Sequence, residues 1–103
     1  MIFKCDVTKE EEVKAAVEGT VAKWGALHAA LASAGICPYN LMLTSKKSLD
    51  ITGFKNVIDI NVYGSIYLAK YASIAMSKNK QDNGERGVII FVSSVAAEEG
   101  ASA

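Results

Sequence analysis

Four places in this chain hold residues whose type and spacing could do chemistry. Asp6 and Val7 follow a short apolar run, Ser33-Ala34-Gly35 closes a second run, Asn61 lies inside a long helical pattern, and Ser93-Ser94 closes a third run. A carboxylate at Asp6 can accept hydrogen bonds from a ligand or cap the turn before a helix, and taken alone capping is the better reading. Ser33-Ala34-Gly35 suits close approach of a ligand to the backbone, and equally a plain strand-to-loop exit. The Asn61 amide needs partners wherever it is buried, so it either ties backbone groups together or serves a reaction through that tie. Hydroxyls at Ser93 and Ser94 can position a substrate oxygen or satisfy loop amides. His28 is the only histidine and is distant from both serines in sequence, so a nucleophilic triad has no visible base. Cys5 and Cys37 form neither a disulfide framework nor a metal-ligand spacing; they read as two reduced thiols, and no metal site is expected.

These residues have to be positioned by regular elements. Ile2-Phe3-Lys4-Cys5 alternates weakly and reads as a strand ending in a turn at Asp6-Val7-Thr8. Thr8 and Glu11 have capping-box spacing, and Glu10, Glu11 and Glu12 place negative charge on a first helical turn. Val13, Ala16, Val17, Thr20, Val21 and Trp24 then mark one helix face, ending at Gly25, and predict an amphipathic helix lying on a sheet. Leu27 to Ala32 is nearly continuous in apolar residues, the signature of a parallel strand covered on both faces. Ile36 to Asp50 reads as a loop. From Ile51 to Asn79 a long helix is predicted with two apolar stripes. Phe54, Val57, Ile58, Asn61, Ser65, Leu68, Ala69, Ala72 and Met76 line one; Ile60, Tyr63, Tyr67, Tyr71 and Ile74 line the other. Two stripes need two partners, the sheet and either more of the same domain or a second subunit. A polar turn from Lys78 to Arg86 leads into a β-branched strand from Gly87 to Val92, and a small, acidic tail follows.

The order strand, helix, strand, long helix, strand argues for parallel strands with right-handed crossovers in an open α/β sheet. Ligands on such sheets bind outside the carboxyl ends of the strands, which is where Asp6-Val7, Ser33-Ala34-Gly35 and Ser93-Ser94 fall. Among the 103 residues, 11 basic side chains balance 11 acidic ones, so charge makes no case for nucleic acid or an anionic membrane. No apolar run approaches the roughly 20 residues that cross a bilayer, and the first residues resemble no targeting peptide; an intracellular protein, cytoplasmic or mitochondrial, is expected.

Together and in this order, these residues resemble the short-chain dehydrogenase/reductase family. Asp6-Val7 looks like the family's adenine-contacting dipeptide. Ala32-Ser33-Ala34-Gly35 occupies the place of its Asn-Asn-Ala-Gly turn beside the nicotinamide ribose. Asn61-Val62-Tyr63-Gly64 matches the Asn-x-x-Gly of its long helix, whose Asn belongs to the catalytic tetrad. Val88 to Ser94 looks like the strand delivering the catalytic serine, with Ser94 the better match because Ser94-Val95-Ala96-Ala97 continues as the family does. Within the family, residues 86–90 and 94–100 look most like the type-2 3-hydroxyacyl-CoA and hydroxysteroid dehydrogenase branch, whose members oxidise hydroxyacyl-CoA thioesters and steroid alcohols with NAD.

The resemblance implies a partial Rossmann-type parallel sheet lacking its first two and last strands, with residues 1–103 forming one partial NAD(P)-binding domain. It implies Ser94 and Asn61 as catalytic residues, and Asp6, Val7, Ala32, Ser33, Ala34 and Gly35 as cofactor-binding residues. It implies NAD or NADP, with NAD favoured, and a secondary alcohol or ketone as substrate. Homo-oligomerisation through the 51–79 helix follows from the same likeness, with no nucleic acid or membrane partner. Ala32 departs from the pattern, since the amide that braces neighbouring strands is missing there. The Gly-rich turn and the NAD/NADP-selecting residue belong upstream, and the Tyr-x-x-x-Lys pair belongs beyond Ala103. Neither Tyr39 nor the helical Tyr63, Tyr67 and Tyr71 can replace it. The expectation is therefore an internal piece of an oxidoreductase, inactive and marginally stable alone. In the family's sheet order Leu27–Ala32 and Val88–Val92 pair directly, while Ile2–Cys5 lacks a neighbour. The alternative is a non-catalytic interaction or dimerisation module that uses the long helix.

Overall fold

The computed structural model describes residues 1–38 and 41–100. Helix α1 runs Glu10–Trp24, strand β1 Ala29–Ala32, helix α2 Ile51–Ile58, helix α3 Gly64–Met76, strand β2 Val88–Phe91 and a short helix α4 Ala96–Glu99. A π turn over Asp59–Tyr63 joins α2 to α3, so the long helix predicted from the two stripes is one rod with a widened turn in its middle. The two strands pair in parallel, Ala29 opposite Val88 through Ala32 opposite Phe91. Amides just outside the ladder extend it: Val88 N donates to His28 O at 2.9 Å and Val92 N to Ala32 O at 3.0 Å. This is the direct pairing expected of these two runs, with the long helix as crossover. Tyr39, Asn40 and the end of the tail lie outside the described residues.

The first run corrects the sequence reading. Ile2–Cys5 joins no ladder, because a strand needs a hydrogen-bonding neighbour and the sheet among the described residues has two strands only. Phe3 instead lies against α1, close to Gly19. The capping box is also absent. α1 starts at Glu10 with Lys9 at its N-cap position and no side-chain cap, so Thr8 sits one residue too early to cap it; its amide (2.9 Å) and hydroxyl (2.8 Å) donate to Asp6 Oδ1 instead. The reciprocal bond comes from Glu12, whose carboxylate accepts from Asp6 N at 2.7 Å. The far end of α1 follows the pattern: Gly25 adopts the left-handed conformation and its amide bonds Val21 O at 2.7 Å.

α1 packs on α3 rather than lying flat on the sheet. Val13 and Val17 are buried, whereas Trp24 overhangs the end at 57% exposure with Lys23 Nζ 5.0 Å from its ring. Across the same interface Glu10 Oε1 accepts from both Lys70 Nζ (2.6 Å) and Tyr71 OH (2.9 Å). Tyr71 therefore faces α1, and Ile74 of the same stripe joins it there, since both border one cavity with Val17 and Val21. The core itself is Ala30, Ala72 and Met76, with Leu27, Leu68 and Ile89 packed around it. This covers one face of the sheet. Leu31 (57% exposed) and Ile90 (48%) lie bare on the other, so the strands are not covered on both sides as their composition led one to expect.

The radius of gyration is 17.1 Å, against about 13 Å for a compact domain of this length. The accessible surface is 7833 Å², where a folded monomer of this mass exposes about 5,600 Å². Both excesses accompany a sheet of two strands among the described residues, with helices packed on one face only.

One side chain and one backbone turn lock the crossover. Asn79, just past α3, donates through Nδ2 to Leu27 O (2.7 Å) and Arg86 O (2.8 Å), joining the entrances of β1 and β2. Between Asn79 and Arg86 the chain reverses at Asn83-Gly84, both at positive φ, with reciprocal 2.9 Å bonds between Asp82 and Glu85.

Candidate functional site

β1 and β2 run in the same direction, so their carboxyl ends open side by side. A cleft of about 360 Å³ lies there, lined by the Ser33-Ala34-Gly35 exit of β1, the Ser93-Ser94 exit of β2, and Asn61 and Ser65 from the long helix. The crossover geometry brings these together, because α3 returns over the strands and its first turn passes above their ends.

Asn61 is exposed yet fully engaged on one side. Its Nδ2 donates to Ile36 O at 2.8 Å and its Oδ1 accepts from Ile36 N at 2.9 Å. The side chain mimics a strand neighbour for Ile36 and pins the segment leaving Gly35. One N–H and one lone pair of the amide stay free. Ser94 is exposed at the opposite wall; its Oγ accepts from Ala96 N at 3.2 Å, capping the start of α4 and leaving its O–H available as a donor.

A second cavity of about 130 Å³ adjoins the cleft and shares Ser33, Ala34 and Ser65 with it. Val7 and Ala32 complete its wall together with Cys5, Gly64 and Leu68. Val7 enters here because Gly64 admits it. A Cβ at Gly64 would lie 2.9 Å from Val7 Cγ2 and 3.3 Å from Val7 O, closer than real contacts allow. The glycine of Asn61-Val62-Tyr63-Gly64 is thus the point where the long helix meets the 6–7 turn. Burial pushes the Cys5 thiol up from its ordinary value, with Glu12 and Asp6 adding repulsion, so Cys5 stays protonated at neutral pH.

Asp6 lies beside this cavity without lining it. The Thr8 amide and then the Thr8 hydroxyl hold its carboxyl below the usual aspartate range, and the Lys9 charge adds to them. Its Oδ1 does the capping weighed from the sequence, while Oδ2 remains for a ligand.

Of the sequence-derived site residues, Ser33, Ala34, Gly35, Asn61 and Ser94 thus share the larger cleft, Val7 and Ala32 join Ser33 and Ala34 around the smaller one, and Asp6 stands at its edge. Three further participants were not among the site residues expected from the sequence, although Gly64 closed the Asn-x-x-Gly match. Ile36 receives the Asn61 amide through its backbone, which no side-chain pattern announces. Gly64 and Ser65 follow Asn61 by three and four residues, the spacing that puts side chains on one helix face. Among the described lining residues of the larger cleft, Cys37 is the only titratable one; hydroxyls and an amide make up its other polar side chains.

A family model described as Enoyl-(Acyl carrier protein) reductase matches residues 1–103. The chain is 37% identical over 98 residues to "Short-chain dehydrogenase reductase 3c" of Arabidopsis thaliana, covering 95% of this chain and 35% of that protein. It is 37% identical over 100 residues to "3-hydroxyacyl-CoA dehydrogenase type-2" of Bos taurus, covering 92% of this chain and 38% of that protein. The solved structure "ElxO with NADP Bound" superposes with a TM-score of 0.82 at 30% identity over 98% of this chain and 38% of its own. This chain belongs to the short-chain dehydrogenase/reductase family. It spans little more than a third of the length of these relatives.

Proposed function

We propose that residues 1–103 form part of an NAD(P)-binding domain whose whole protein oxidises a secondary alcohol by hydride transfer. A hydroxyacyl-CoA or steroid-type substrate and NAD are the favoured choices, the first because a type-2 3-hydroxyacyl-CoA dehydrogenase is among the relatives. The observation carrying this reading is the cleft at the strand ends, which Ser33, Ala34, Gly35, Asn61 and Ser94 line together.

The residues present suit a dinucleotide at two of its points. The floor of the cleft is small: a Cβ at Gly35 would find Asn61 Oδ1 at an ordinary 3.5 Å, so intrachain packing does not require the glycine and the space is left for a ligand. The adjoining cavity continues to Val7, with the ionised Asp6 at its rim. When bound, the cofactor supplies the hydride acceptor. Ala32, Ser33, Ala34 and Gly35 would hold its nicotinamide-ribose end, and Val7 and the Asp6 carboxylate would meet its adenine. Ser94 donates its hydroxyl proton to the substrate oxygen, holding the carbinol carbon towards the cofactor. Asn61 keeps the loop at Ile36 in place and offers its free N–H and lone pair to a water that relays the proton.

The alcohol proton needs a general base, and the described residues lining the cleft include no histidine, lysine, tyrosine or carboxylate. We therefore read the chain alone as inactive, with the base and the pyrophosphate-binding turn contributed by other parts of the protein. Tyr63 and Tyr67 stack on the long helix with ring centroids 6.3 Å apart, and we read this pair as part of the contact by which copies associate. Tyr67→Asp should then shift the native protein to monomer in sedimentation velocity; an unchanged assembly would remove this helix from the interface.

The decisive assay uses the protein purified at its native length, with NAD, NADP and a panel of secondary alcohols including hydroxyacyl-CoA thioesters and steroids. Ser94→Ala should lower turnover at least a hundredfold while leaving the nucleotide dissociation constant unchanged. Undiminished turnover would overturn the assignment of Ser94, and absence of nucleotide binding would overturn the reading as a whole.

A further inference from the structure

The long helix is not uniform where it crosses the cleft. Gly64 N donates to Asp59 O, five residues back instead of four, and Asn61 sits within this widened turn. Ser65 Oγ donates to Asn61 O at 3.0 Å, one helical turn away. A serine that bonds the carbonyl four residues back competes with the regular helix ladder and bends the helix locally. Ser65 is also one of the few side chains bordering both cavities. Asn61, held at its backbone by Ser65, grips Ile36 with its side chain.

We propose that Ser65 is a positioning residue for the site. Its hydroxyl holds the Asn61 carbonyl within the π turn, and thereby aims the Asn61 amide at Ile36 and sets the position of the loop that follows Gly35. The functional consequence rests on the proposed function above, whereas the structural linkage Ser65 to Asn61 to Ile36 does not.

Two features separate this role from simple packing. The hydroxyl matters, not the volume, so Thr should replace Ser65 and its near-isostere Val should not. The effect also has one destination, the Ile36 amide, whose acceptor is Asn61 Oδ1. Amide hydrogen exchange on the full chain, read by NMR, tests both. Ser65→Ala and Ser65→Val should speed exchange at Ile36 about fivefold to tenfold, the loss of one net hydrogen bond. The Val92 amide, bonded to Ala32 O in the strand ladder, should keep its rate. Ser65→Thr should match the unmodified chain at both positions. Unchanged exchange at Ile36 in Ser65→Val would overturn the proposal, as would equal acceleration at Ile36 and Val92 or a Thr variant no better than Val. The measurement uses no cofactor, so its failure is distinct from a failure to bind nucleotide.

Discussion

The carboxamide of Asn61 brackets the peptide of Ile36, donating to its carbonyl at 2.8 Å and accepting from its amide at 2.9 Å. One side chain thereby performs the double pairing that a neighbouring strand residue performs in a ladder, 25 residues away in sequence. Asn61→Asp keeps the shape and the acceptor, and replaces the donor with an oxygen facing the Ile36 carbonyl. It should destabilise the chain by about 1–3 kcal/mol above the carboxylate's pKa, with much of the loss recovered when the carboxyl is protonated. Urea unfolding at neutral and acid pH checks this, and a pH-independent loss would contradict it.

Gly64 is where α3 and the Val7 turn come closest. Gly64→Val should cost about 1–3 kcal/mol by overpacking, more than any gain from replacing a helical glycine. It should also move Val7 and Asp6 away from the smaller cavity. Thermal unfolding reads the first effect, and chemical-shift changes at Val7 and Thr8 read the second.

Asn79 joins the entrances of both strands through one nitrogen. Asn79→Leu strands two backbone carbonyls, at Leu27 and Arg86, and should lower stability by about 1–3 kcal/mol. The loss should appear in the amide protection of Val88, at the entrance of β2, before it reaches Val92 at the far end. Uniform loss along the strand would mean that Asn79 acts through global stability alone.

The Glu10–Lys70–Tyr71 cluster gives stability a pH dependence on both sides of neutrality. The Lys70 hydrogen bond, followed by that from Tyr71, holds the Glu10 carboxyl below its ordinary value. That contribution is present above the ordinary glutamate range and is lost as the pH falls through the depressed folded value. The Glu10 hydrogen bond raises both Lys70 and Tyr71. Their contribution is complete below about pH 10 and is lost as the pH rises through their elevated values. All three groups are exposed to solvent, so the effect is small and screened by salt. Glu10→Gln should flatten both limbs of the stability-pH curve in low salt; unchanged limbs would assign the pH dependence to other groups.

Much of the fold was legible because periodicity and end signals are local. The α1 face, Gly25 at its end and the long helix follow from such local patterns, whereas the direct pairing of the second and third runs was implied by the resemblance to the family's sheet order. The site was legible for a different reason: an open parallel sheet presents its strand ends together, so polar or small residues at successive strand ends belong to one crevice. That placed Ser33–Gly35 and Ser94 in one cleft before any coordinates.

Tertiary structure decided what depends on a partner distant in sequence. Whether Ile2–Cys5 is a strand depends on an available neighbour, not on its alternation. Thr8 fails to cap α1 because the helix starts one residue later, with Lys9 at the N-cap position, and Tyr71 turns to α1 because Glu10 lies across from it. The π turn arises where Ser65 bonds Asn61 and Gly64 must accept Val7. The amino-acid sequence by itself determined the element order and the residue types that meet at the strand ends, since these depend on chain-local geometry and topology. Only the folded chain decided which donor takes which acceptor, because each of these polar groups had more than one partner within reach and packing selected among them.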